Sequence, residues 1–377
     1  MPLSEAELEP LLRLALVQGV GPQRLALLVE RFRGAEAAMV ASPARLREVP
    51  GIGPELAARI RAANGSRARS ATRSALRFVR HSRAVALTPA DPAYPPSFRS
   101  VIDPPYLLFA AGDLDALART GVAIVGTRSP TRYGREAAER LGFDLARAGL
   151  AIISGLARGI DSAAHLGALE AGGTTIAVLG HGIDQVYPPE NDRLFARVRR
   201  HGLLLTEYLP GETPKAGNFP RRNRLITALA EAVVVVEMGL KSGAQHTVGF
   251  ALDQGKEVMA VPGSILSPMS GGTNQLIKDG ARLVASAQDV LEELRGVGSC
   301  QPEPDAGGPS AQPASHAMEL LTRPEEVLLE VMSRDPLHVD ELASGAGVSP
   351  AEALTTLLHL ELRGLVTALP GKRYCRT

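Results

Sequence analysis

The chain has 377 residues, of which 45% are hydrophobic and 21% charged, enough for two or three folded units. Its 41 basic and 40 acidic residues leave a formal net charge of +1, so overall charge identifies no partner. No apolar run approaches the about 18 residues of a membrane span, and the opening MPLSEAELEP lacks a signal-peptide pattern. Cys300 and Cys375 form no zinc spacing, so a cytoplasmic address, without membrane or metal, is expected.

The charge is unevenly spread. Residues 1–90 hold fourteen arginines and seven acids, and this region reads as helical. Gly19-Val20-Gly21-Pro22 and Gly51-Ile52-Gly53-Pro54 each lead into an amphipathic run. Glycine in the turn and proline in the first helical turn fit a helix-hairpin-helix repeat. Its amides either face a DNA phosphate or serve only packing. No acid falls between Glu55 and Asp91, while Arg69, Arg73 and Arg77 recur at i, i+4 on one helix face. That face is a possible secondary DNA contact, with a solvated surface as the alternative.

Prolines crowd residues 84–105 and mark a boundary. Beyond it, short apolar runs alternate with helical ones. Strands are expected at Val122–Gly126, Ala151–Ser154, Thr175–Leu179, Leu203–Thr206, Val233–Glu237 and Glu257–Val261. Helices are expected at Arg135–Ala148, Asp161–Ala171, Asn191–Arg200, Arg222–Ala230 and Gly243–Gln254. This alternation specifies an α/β fold with a doubly wound parallel sheet. Ligands bind such sheets where strand ends meet helix starts.

Three loops carry cations to those positions. Gly126-Thr127-Arg128 follows one strand, and Ser154-Gly155-Leu156-Ala157-Arg158 follows the next. Backbone amides and two guanidinium groups in adjacent loops suggest a phosphate held between Arg128 and Arg158; surface salt bridges are the alternative. Lys215-Ala216-Gly217-Asn218-Phe219-Pro220-Arg221-Arg222-Asn223-Arg224 is a third basic segment. Basic groups around one aromatic ring suit a single strand, with arginines on phosphates and the ring on a base. Phe219 as a loop anchor, and arginines paired with Glu207 or Glu237, are the alternatives. Lys241-Ser242-Gly243-Ala244 and Ser270-Gly271-Gly272-Thr273-Asn274 are weaker anion-loop signals.

Residues 299–316 are a linker rich in proline, glycine and serine. The last unit, 318–377, reads as a winged helix. It has a helix at Pro324–Ser333, a helix-turn-helix at His338–Ala346 and Ser349–Arg363, and a wing at Val366–Leu369 and Arg373–Cys375. It holds six basic and nine acidic residues. Glu352, His359 and Glu361 on the second helix, with only Arg363 basic, disfavour groove reading and favour a protein contact.

No P-loop, GxGxxG, GxSxG or HExxH motif occurs, so no catalytic residue, cofactor or metal is assigned. VAIVGTRSPTRYG, ISGLARGIDSAAH, AVLGHGIDQVYPPEN, FPRRNRLITAL, VVVVEM with KSGAQHT, and AVPGS with GGTNQLIKDGA together resemble the ordered motifs of the DprA/Smf DNA-processing family. The resemblance implies a Rossmann-like domain over 85–298, between a helix-hairpin-helix (SAM-like) domain at 1–84 and, after the linker 299–317, the winged helix. It implies a non-enzymatic protein that binds and protects single-stranded DNA, helps load the RecA recombinase during DNA uptake, and forms a homodimer through the Rossmann-like domain. Carried over by motif, Arg128 and Arg158 hold phosphates, and Ser154 and Gly155 line the pocket. Lys215, Phe219, Arg222 and Arg224 complete it beside Gly126, Thr127 and Asn223. The competing class is a nucleotide-cleaving hydrolase of phosphoribohydrolase type. Such enzymes carry a catalytic Glu after a glycine-rich loop; here Gly271-Gly272-Thr273-Asn274-Gln275 has none.

Overall fold

The computed structural model describes residues 4–82, 84–240 and 242–296, and in the C-terminal region 327–329, 331–332, 337–362, 366–369 and 373–376. Lys241, Arg363, the linker 299–317 and the tip of the wing lie outside the described residues. The chain forms two compact units, 1–302 and 303–377.

The first unit opens with six helices: α1 (Glu5–Ala15), α2 (Pro22–Phe32), α3 (Ala35–Val40), α4 (Pro43–Arg47), α5 (Pro54–Ala62) and α6 (Ser66–Ser82). The two Gly-h-Gly-Pro turns start α2 and α5, with Pro22 and Pro54 in the first turn of each. Gly19 and Gly51 take φ of +99° and +78°, a region that penalises any side chain. The repeats pack on each other, since a Cβ on Gly19 would meet Leu56 and one on Gly51 would meet Arg24.

The sheet follows as β1 (Val85–Leu87), β2 (Leu108–Gly112), β3 (Gly121–Val125), α7 (Arg132–Arg147), β4 (Ala151–Ser154), α8 (Ile160–Glu170), β5 (Thr175–Val178), α9 (Asp192–His201), β6 (Leu203–Thr206), α10 (Asn218–Leu229), β7 (Ala232–Val235), α11 (Ala244–Asp253), β8 (Glu257–Ala260), α12 (Gly271–Lys278), β9 (Arg282–Leu283) and α13 (Ala287–Gly296). Its order is β1-β2-β6-β5-β4-β3-β7-β8-β9. Strands β3 to β9 pair in parallel, whereas β1 and β2 form an antiparallel edge against β6. That edge was not legible, because the proline-rich stretch read as a boundary. Its turn is ordered by polar contacts: Asp91 accepts from Thr88, and Tyr94 donates to the Pro105 carbonyl.

Both sheet faces are buried, which explains strands without polar alternation. Ala123 and Val125 pack among the residues of α10 and α11, while Val122 and Ile124 pack under α7 and α8. Each such valine or isoleucine side chain stabilises the fold by about 1.5–3 kcal/mol. Leu8, Leu12, Ala75 and Leu76 join Phe109, Leu179 and Phe195 in one cluster, so α1 and α6 share a core with the sheet.

In the second unit, β10 (Leu337–His338), α14 (Val339–Ala346), α15 (Pro350–Leu362), β11 (Val366–Leu369) and β12 (Arg373–Arg376) form a helix pair and a three-stranded sheet of order β10-β12-β11. Gly347, at φ +67°, ends α14. Ala353, Leu357 and Leu360 of α15 pack on Leu342 and Val366.

Candidate nucleic-acid interface

The strand order reverses direction at β3, which lies between β4 and β7. Crevices open at such switch points beyond the strand ends. A cavity of about 550 Å³ opens there, lined by the loops after β3, β4 and β7 and by the start of α10. Gly126, Thr127, Arg128, Phe219, Arg222 and Asn223 all line it.

Arg128 is exposed, and among the described residues no carboxylate pairs with it. Its guanidinium lies 5.4 Å from the centroid of the Phe219 ring, a cation–π contact worth about 0.5–1 kcal/mol at an exposed site. The ring of Tyr187 lies 5.4 Å from the same centroid at an interplanar angle of 32° and also lines the cavity. Tyr187 was missed as a site residue; VYPPEN carries it, and only the fold brings it against Phe219.

Helix α10 begins four residues before the expected Arg222. Pro220 sits in its first turn, where the missing N–H breaks no intrahelical bond. The helical path turns successive arginines in different directions. Arg222 is buried and donates to the carbonyls of Gly155 (2.9 Å) and Val178 and to the Asn223 side chain (3.1 Å). Burial lowers its guanidinium to about 10, against the opposing attraction of Asp161. A Cβ on Gly155 would lie 2.4 Å from the Arg222 guanidinium and 2.8 Å from the Asp161 carboxylate, so only glycine admits both. Asn223 donates to Thr247 of α11 (2.9 Å), linking two elements of the rim.

Five residues stand elsewhere than expected. Arg224 is no pocket residue: it is buried in a two-pronged ion pair with Glu207 (2.6 and 2.8 Å) and donates to the carbonyls of Ile102 and Asp103. Arg158 is exposed but does not line the cavity; it pairs with Glu190 at the surface. Lys215 pairs with Glu212 (3.2 Å) and lines the neighbouring cleft, although Pro214 and Ala216 line the cavity itself. Ser154 is fully buried and donates to the Ile124 carbonyl (2.7 Å), and Gly155 lies behind the wall.

The loop amides are also committed. Asp161 accepts from Gly155 (3.1 Å) and Ala157 (3.3 Å). Burial raises the Asp161 carboxyl, opposed chiefly by the charge of Arg222. Glu237 accepts the amide (2.8 Å) and hydroxyl (2.6 Å) of Thr131 at the start of α7. Internal carboxylates thus occupy the places expected for a phosphate. Among the described residues, the site's free cation is a side chain, Arg128, rather than a nest of amides. The secondary candidates Arg69, Arg73 and Arg77 are exposed on α6, away from this cavity; Arg69 donates to the Asn64 carbonyl (3.1 Å).

A family model described as DNA recombination-mediator protein A matches residues 85–295. Further models match a DprA winged helix domain at 309–372 and a SAM-like helix-hairpin-helix tandem at 11–63. The chain belongs to the DprA/Smf family. It is 34% identical to Protein Smf of Synechocystis sp. over 96% of each chain. It is 41% identical to Protein Smf of Escherichia coli over 76% of each. Among solved structures it resembles DNA processing protein A of Streptococcus pneumoniae, with TM-score 0.65 and 34% identity over 78% of this chain and 99% of that one. It also resembles DNA processing protein A of Helicobacter pylori, described for its single-stranded DNA binding mode, with TM-score 0.53 and 32% identity over 58% of this chain and 98% of that one. The SAM-like, Rossmann-like and winged-helix parts read from the sequence are those of the DprA family. No helix among the described residues is long and apolar enough to cross a membrane.

Proposed function

We propose that this DprA/Smf chain binds and protects single-stranded DNA in the switch-point cavity, without catalysing a reaction. The observation that carries this reading is Arg128: an exposed guanidinium with no carboxylate partner among the described residues, resting on Phe219, whose ring meets Tyr187, all three lining the cavity. A backbone phosphate draws the guanidinium off the Phe219 ring, and an unpaired base takes its place against the ring. Arg222 and Asn223 hold the wall rigid. A duplex presents its phosphates but keeps its bases stacked inside, so it gains only half of the contacts. The role at Ser154, Gly155, Arg158 and Lys215 is support of the wall and rim.

The family resemblance extends the proposal to a cytoplasmic homodimer, joined through the Rossmann-like domain, that hands its strand to the RecA recombinase during DNA uptake. The division into 1–84, 85–298, 299–317 and 318–377 then separates the helical part, the DNA-holding part, the linker and an acidic module for protein contact.

The test is a gel-shift titration of the full chain with one oligonucleotide, single-stranded or annealed to its complement. The single strand is expected to bind at least about tenfold more tightly, a difference of about 1.4 kcal/mol. Equal or tighter binding of the duplex overturns the proposal.

A further inference from the structure

A second groove, of about 450 Å³, lies where α6 meets α9 and the segment after β5. Its floor is apolar: Phe78, Ile183, Val186, Phe195 and Ala196 line it. Its rim carries Arg199 and Arg200 of α9. Arg73 and Arg77 of α6 are exposed and immediately precede Ser74 and Phe78, which line this groove or the cleft beside it. Two carboxylates also line the groove, and both already accept amide hydrogens: Asp184 from Gly211 (2.8 Å) and Asp192 from Arg193 (2.6 Å). The groove lining itself thus holds two arginines and two acids, and the exposed Arg73 and Arg77 of α6 add positive charge nearby.

Along the chain the groove adjoins the cavity of the candidate site: Val186 lines the groove and its neighbour Tyr187 lines the cavity, at 40% and 38% exposure. An aromatic ring on an apolar floor beside arginines is the chemistry that accepts an unpaired base and its phosphates. It is poor chemistry for a duplex, whose bases cannot reach Phe78.

We propose that this groove is a second subsite for the same unpaired strand: the polynucleotide leaves the cavity over Tyr187 and Val186, lays a base against Phe78, and places phosphates on Arg77 and Arg200. The inference rests on the single-strand reading of the cavity. It adds a direction for the strand and a function for the arginine-rich face of α6, which that reading leaves unused.

The test compares a short and a long oligothymidylate, of about 4 and about 16 nucleotides, the two ends of the site-size range of an OB fold. The full chain is titrated with each, as wild type and as the Arg77→Ala, Arg200→Ala double variant, with thermal melting to confirm the fold. The double variant is expected to bind the short strand as wild type does and to bind the long strand about tenfold or more weakly. Its dependence of log affinity on log salt should be shallower by about 1.4 for the long strand, about 0.7 for each lost phosphate contact. Equal affinity of variant and wild type for the long strand overturns the subsite. If Arg128→Ala binds the short strand as wild type does, the cavity reading itself fails, which separates the two outcomes. A second measurement avoids dependence on the arginines. The chain has no tryptophan, so Phe78→Trp installs its one tryptophan, excited apart from the tyrosines, in the groove. Quenching by the long strand but not the short one supports the subsite; no quenching by saturating long strand overturns it.

Discussion

Arg128 and Arg224 lie in the same cationic set when read as sequence, and the structure gives them opposite consequences. Arg128→Ala removes one cation–π contact from an exposed side chain, so it should cost less than about 1 kcal/mol of stability. It should also remove a charge-assisted phosphate contact worth about 1.5–3 kcal/mol, which weakens single-strand binding by about tenfold to a hundredfold. Arg224→Met does the reverse. It leaves Glu207 buried without its partner, with both side chains only 4% exposed, and breaking such a pair costs about 3–5 kcal/mol. Chemical denaturation of each variant and fluorescence anisotropy with a labelled oligothymidylate, under conditions where both are folded, read the two effects separately. Arg128→Ala with wild-type affinity, or a folded Arg224→Met with affinity lost and stability kept, refutes the division of roles.

Other substitutions separate stacking, burial and domain roles. Phe219→Leu should lose about 1–3 kcal/mol of single-strand affinity if the ring meets a base, and should lose little of that on a strand made abasic at the contact. Tyr187→Leu should follow it in the same direction; equal losses on normal and abasic strands would point to loop distortion instead. Burial lowers His165 to about 3 from its ordinary 6.5. The unfolded chain therefore takes up a proton there that the folded chain refuses. The resulting stability is complete above pH 6.5 and is lost as pH falls toward 3. Between pH 6.5 and 5 this amounts to about 2 kcal/mol, and denaturation of His165→Gln should show a correspondingly flatter acid limb; an unaltered limb contradicts it. Deleting 318–377 should leave single-strand affinity within about twofold, or 0.4 kcal/mol, in an anisotropy titration. A large loss would assign the winged helix a share of the DNA contact.

The sheet was legible because its strands are buried on both faces. Runs such as Val122–Val125 and Ala232–Val235 are apolar without alternation and alternate with amphipathic helices. The antiparallel edge was not, since prolines between Val85 and Leu108 mask two short strands and local polar contacts fix the turn. For the site, loop position at strand ends gave Gly126, Thr127 and Arg128, and the aromatic within a basic segment gave Phe219. Side-chain direction was the illegible part. Residues 221–224 follow one another on a helix at about 100° intervals, so Arg222 turns inward to carbonyls while Arg224 meets Glu207, a partner seventeen residues away in sequence. Asp161, which its place at a helix start marks as a cap or arginine partner, and Glu237 take amides that a phosphate would otherwise use.

Photo-crosslinking of a single-stranded oligonucleotide carrying 5-iodouracil to the full chain, with the modified peptides sequenced, asks most directly where the bases lie. Adducts on Phe219 and Tyr187 are expected, competed away by unlabelled single strand and not by duplex. Adducts confined to the C-terminal unit, or to the helix-hairpin-helix turns at Gly19–Pro22 and Gly51–Pro54, would contradict a base-holding cavity at the strand switch point.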